Sequence, residues 1–114
     1  MCVARLFGLL LLCAPWPATG EDARSEPVRI HAPAAGAFLD AKTHHRLAYE
    51  IKPGTGGHHV HVYVDDIEVA ILRQLKGSYL LPRLKPGRRE ICVKVVNAKH
   101  VPTGVESCVH VSVR

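Results

Sequence analysis

His58, His59 and His61 fall within four positions directly after Gly56-Gly57, and His100 stands in a loop two residues before Pro102. Neutral imidazole is the commonest protein ligand for zinc and copper(II), and a His-x-His pair on an extended chain turns two rings to one face. A third ring from a neighbouring loop completes a binding site, so copper(II) or zinc is the ion this donor set suits, ahead of iron–sulfur or calcium. Met1 is the only methionine, which leaves no thioether site for copper(I) in a processed chain. Imidazole titrates near pH ~6.5, so the same cluster also allows a contact surface that gains charge in acid. The plainer alternative is a structural or protein-interaction domain whose histidines are surface residues on a solvated sheet face, with exposed strands free to pair with a partner. Three histidines around a zinc-bound water can support hydrolysis. The chain specifies no Ser-His-Asp or Cys-His arrangement and no pocket-forming insertion, so an enzyme is not expected.

The elements that must position these rings are strands. From His59 the chain alternates strictly, with His59, His61 and Tyr63 on one face and Val60, Val62 and Val64 on the other, which predicts a central strand with an apolar side and a histidine side. It ends at Asp65-Asp66, a pair suited to a tight turn. The last two strands, Glu90 to Val96 and Val105 to Val113, flank the loop Asn97 to Gly104. Pairing residues whose numbers sum to 200 sets Ile91 opposite Val109 and Val95 opposite Val105 on the apolar face. It also sets Cys92 opposite Cys108, Lys94 opposite Glu106 and Glu90 opposite His110 on the other. Apolar match, charge match and the cysteines select one register, which a one-residue slip would destroy. A Cys92–Cys108 disulfide follows, with free thiols as the alternative.

Placing the histidine strand antiparallel to the Cys92 strand brings the loop before His58 beside the loop that carries His100. His58, His59, His61 and His100 then converge on one rim as candidate metal ligands. Asp65 lies ~13 Å along the strand from His61 at about 3.3 Å per residue, and His110 is displaced toward the opposite end, so neither belongs to the first-choice site.

Residues 1–20 carry one positive charge, Arg5, then an apolar run from Leu6 to Leu12 and small residues at Ala18-Thr19-Gly20. These features read as a secretory signal peptide cleaved after Gly20 or, second choice, Ala18. The run is too short for a membrane span of ~20 residues. The expected product is an exported protein, periplasmic or extracellular, with a flexible segment at 21–27 and one domain at 28–114. Removing Arg5 takes the formal charge from +5 to +4. The basic residues are scattered and the mature aromatics few, so no nucleic-acid platform is indicated. The expected partners are a metal ion or another exported protein, with no membrane span in the mature chain.

Further strands are expected at 27–33 (an edge, flanked by prolines), as a short extension at 36–40, and at 44–51, 67–72 and 78–81. Lys52 to Gly57 is a loop, and helical periodicity is missing throughout. About seven short strands and frequent turn signals predict a small antiparallel β-sandwich of immunoglobulin type. With the cysteines in adjacent strands and no tryptophan within the sheets, it is not an antibody-like domain.

The order Gly57-His58-His59-x-His61 running to Asp65, then Leu84-x-Pro86-Gly87, then Asn97-x-x-His100-x-Pro102 before a valine-rich strand resembles small exported bacterial immunoglobulin-like families of unassigned function. The match spans roughly residues 28 to 114. The resemblance implies the fold and export. Where it would place a histidine soon after the Pro-Gly turn, this chain has Arg88 and Arg89.

Overall fold

The computed structural model describes residues 26–52 and 56–114. The expected signal peptide, its cleavage site, Cys2, Cys13 and most of the 21–27 segment lie outside the described residues. The described chain is all β: β1 (Val28–Ala32), β2 (Phe38–Leu39), β3 (Arg46–Ile51), β4 (His59–Val64), β5 (Ile67–Leu72), β6 (Lys76–Leu80), β7 (Gly87–Val96) and β8 (Pro102–Val113). One sheet has the order β1-β3-β6 and the other β2-β8-β7-β4-β5. The expectation of about seven strands becomes eight, because the 36–40 extension forms its own strand, parallel to the end of β8.

The core lies between the sheets and follows from alternation. Leu47, Tyr49 and Ile51 of β3 are buried against Val60 and Val62 of β4, Ile91, Val93 and Val95 of β7, and Val109, Val111 and Val113 of β8. Each strand presents every second residue inward, the arrangement a sandwich requires. Tyr49 is fully buried, and its hydroxyl donates to the carbonyl of Gln74 at 2.6 Å. That bond offsets the cost of placing a phenol in the core, and burial raises its pKa.

The register of the β7–β8 pair matches the sum rule at Glu90↔His110, Ile91↔Val109, Cys92↔Cys108 and Lys94↔Glu106. Cys92 and Cys108 form a disulfide across it. The expected Val95–Val105 pair is displaced, since the register shifts and Val96 meets Pro102 instead. β8 carries two extra residues there: Gly104 sits at φ +95, and the Thr103 hydroxyl donates to the carbonyl of Val95 at 3.1 Å. Such a bulge bends the strand and sets where the loop after Val96 begins.

β4 is central, between β7 and β5, as its two apolar-or-buried faces require. Asp65 and Asp66 take φ values of 51 and 68, the left-handed pair of a two-residue hairpin turn. The Asp65 carboxylate accepts from the Glu90 amide at 2.9 Å and from Arg89 Nη1 at 3.0 Å. Arg89, standing where the resemblance implies a histidine, also donates to the carbonyls of Lys85 and Pro86. Its work is to tie two turns together.

Candidate metal centre

β4 begins where β7 ends. The His58 amide donates to the Val96 carbonyl at 2.8 Å, and His59 pairs with Val96 in the ladder. The loop that follows Val96 therefore starts beside the histidine face of β4. Asn97 shapes that loop: its side-chain oxygen accepts from the amides of Lys99 and Val101, and its carbonyl accepts from the amide of His100. His100 takes φ +66, a left-handed conformation costly for a residue with a Cβ. This turn folds the His100 ring back over β4.

Three ring nitrogens meet there. His59 Nε2 and His61 Nε2 lie 3.2 Å apart, and His100 Nδ1 lies 3.2 Å from the first and 3.0 Å from the second. His59 and His61 retain only 1% and 4% exposure, although they stand on the outer face of the sheet. The reading of these two as solvated surface residues is thus corrected: neighbouring rings and the His100 loop cover them. His100 itself is exposed.

His58 lies beside the triangle. Its Nδ1 is 2.9 Å from Nδ1 of His59, on the opposite side of the His59 ring from the converging nitrogens. Of the four histidines expected on this rim, three present donors to one point and the fourth contacts a member of that set. His110 instead pairs with Glu90 at 3.4 Å, and Asp65 with Arg89, both away from the cluster. His44 and His45 bond to main-chain carbonyls of Leu81 and Asp40.

Glu68 is a participant that reading the sequence missed. Its Oε1 lies 3.2 Å from His61 Nδ1. The two-residue turn at Asp65-Asp66 pairs Val64 with Ile67 and Tyr63 with Glu68, which sets Glu68 on the histidine face. Beyond that pair the register shifts between Val62 and Tyr63, leaving Val69 as an extra residue. The sequence carries a signal for Glu68, since pairing across a two-residue Asp65-Asp66 turn sets it opposite Tyr63, on the face of His59 and His61.

These contacts fix protons. A carboxylate only accepts, so its place beside His61 Nδ1 favours the tautomer that leaves Nε2 facing the cluster. Burial first, then the positive charge of Arg73 and the neighbouring rings, lowers the pKa of His59 and keeps it neutral near pH 7. The arrangement offers three converging imidazole nitrogens, and a metal ion takes such ligands in their neutral form.

No protein-family model and no curated protein matches the chain. Among solved structures, fibronectin(III)-like modules of CbhA from Clostridium thermocellum align with a TM-score of 0.64 at 16% identity, over 76% of this chain and 95% of that one. A lytic polysaccharide monooxygenase of Jonesia denitrificans, solved by neutron crystallography, aligns at 0.49 and 13% identity, over 72% of this chain and 60% of that one. The second alignment is too loose to carry an argument. The first shows a fibronectin-like, immunoglobulin-type β-sandwich, and at such identity it shows the fold alone.

Proposed function

We propose that this chain is an exported, non-enzymatic β-sandwich module that binds one divalent transition-metal ion through His59, His61 and His100, with zinc preferred over copper(II). His58 and Glu68 hold the ligating rings in place. Export is supported by the apolar leader-like start and by the Cys92–Cys108 disulfide.

The observation that carries the reading is the triangle of nitrogens, with sides of 3.0 to 3.2 Å. Bonds of about 2.0–2.1 Å in a tetrahedral zinc site separate nitrogen donors by about 3.3 Å. An ion at that distance from all three sits about 1 Å above their plane, with a fourth position open. A square-planar copper(II) site needs one opposite pair about 4 Å apart. None of the three pairs has that spacing, so copper(II) requires the rings to move.

The alternative without metal is a proton on His100 Nδ1 shared between the other two rings. With the hydrogens of His61 and His59 on Nδ1, toward Glu68 and His58, both Nε2 atoms would be acceptors facing each other at 3.2 Å. One proton serves both only as a shared, three-centre bond, whereas a cation satisfies all three nitrogens at once.

Long-range proton–nitrogen correlation spectra of the imidazoles, with and without one equivalent of zinc, test the ligand set. Zinc is expected to move His59 Nε2, His61 Nε2 and His100 Nδ1 while His31, His44, His45 and His110 stay in place. Unmoved resonances in the triad, or equal shifts across all histidines, would overturn the reading.

A further inference from the structure

A second set of donors stands on the same outer face, at the other end of β7. Glu90 and Cys92 are two apart on β7, Cys108 and His110 two apart on β8, and the ladder pairs Glu90 with His110 and Cys92 with Cys108. Period-2 alternation places all four side chains on one face, with Ile91 and Val109 buried on the other. Donor atoms of Glu90, Cys92 and Cys108 lie within 4.8 Å of one another, and His110 Nε2 lies 3.4 Å from Glu90 Oε2. The side chains of His110 and Glu90 are 48% and 32% exposed, so the group opens to solvent.

From this juxtaposition we infer a second, redox-gated metal site in which Cys92, Cys108, His110 and Glu90 bind a thiophilic cation such as zinc or copper(I) once the disulfide is reduced. Oxidised, the two sulfurs are bonded to each other and offer no thiolate. A dithiol reductant supplies two electrons and two protons, breaking the sulfur–sulfur bond and leaving as its own disulfide. The Cys92 and Cys108 thiols each then lose a proton as they bond the cation, so two protons are released per ion.

The geometry asks little of the sheet. With metal–sulfur bonds of about 2.3 Å, tetrahedral thiolates stand about 3.8 Å apart. The Cα atoms are 4.0 Å apart, so side-chain rotation brings the sulfurs to that spacing without moving the strands. The histidine and the carboxylate fill the two remaining positions, and a thiolate, imidazole and carboxylate set suits zinc.

The test isolates this site from the first. The full chain is made with Cys2→Ser, Cys13→Ser, His59→Ala and His61→Ala, reduced by a phosphine without oxygen, and titrated with cobalt(II). The phosphine becomes its oxide by taking oxygen from water and leaves two thiols. The expected result is one cobalt per chain with an intense thiolate-to-cobalt absorption, missing from the oxidised chain. His110→Ala and Glu90→Ala are each expected to weaken binding by roughly tenfold or more, as loss of one donor contact costs at least ~1.4 kcal/mol. Far-ultraviolet circular dichroism follows the fold in parallel. A missing band, a band indifferent to both substitutions, or a reduced chain that has lost its β signal overturns the proposal.

Discussion

Glu68 Oε1 lies 3.2 Å from Nδ1 of His61, behind the ring whose other nitrogen faces His59 and His100. A carboxylate in this position selects the tautomer, fixes the ring plane and raises the basicity of the ligating nitrogen. Glu68 stands on the histidine face because the two-residue Asp65-Asp66 turn pairs it with Tyr63. Removing the carboxylate therefore tests the site without touching a ligand. Glu68→Ala is expected to lower zinc affinity about 10- to 100-fold, and Glu68→Gln less, since its amide oxygen still accepts from His61. Calorimetric titration reads both, and equal affinities in wild type and Glu68→Ala would contradict the assigned role.

Asn97 supports the third ring from a distance. It accepts hydrogen bonds from the amides of Lys99 and Val101 and so holds His100 in its left-handed conformation. Asn97→Ala is expected to reduce zinc affinity while every ligand remains, and to lower stability by about 1–2 kcal/mol from lost hydrogen bonds. Denaturant unfolding and zinc titration of the same sample separate the two effects.

How much of this was legible before the structure depends on the kind of information involved. Alternation and register are local and redundant, so the histidine strand and most of the β7–β8 pairing followed from residue types alone. The convergence of His100 on His59 and His61 followed from one adjacency, β4 beside β7. Burial of His59 and His61 did not follow, because it comes from a loop folding over an outward face. The bulges at Val69 and near Gly104 were equally hidden: each inserts residues without changing the apolar pattern enough to announce itself. Glu68 follows instead from pairing across the two-residue Asp65-Asp66 turn, which the apolar run around it obscures, and His58 was grouped with the ligands because spacing cannot say which nitrogen a ring turns toward its neighbour.

The disulfide closes a segment with a sequence separation of 16 in a small domain. In the chain-entropy picture a loop of this size contributes about 3 kcal/mol. Cys92→Ala with Cys108→Ala is expected to lower the urea midpoint accordingly while keeping the β fold. An unchanged midpoint would show that the strand pair needs no covalent support.

Asp65 sets an acid limb of stability. The Glu90 amide first, and the Arg89 guanidinium beside it, hold its carboxyl below the usual range. A depressed folded-state pKa stabilises above the unfolded value and loses that contribution as pH falls through the folded one. Asp65→Asn keeps a side chain that tolerates the left-handed turn. It is expected to be less stable than wild type at pH 7, by under about 1 kcal/mol for so exposed a pair. The gap should close as pH falls below ~4. Stability measured against pH for the two proteins checks the sign, and a gap that widens in acid would contradict it.

The measurement that bears most directly on the metal centre is calorimetric titration of the chain with zinc and with copper(II) at pH 7.5, repeated on His59→Ala with His61→Ala. The expected result is stoichiometric zinc binding with sub-micromolar affinity in the wild type, at or above ~8 kcal/mol, and its loss in the double variant. Weak binding that the double variant retains would contradict the site and leave the triad as a hydrogen-bonded structural cluster.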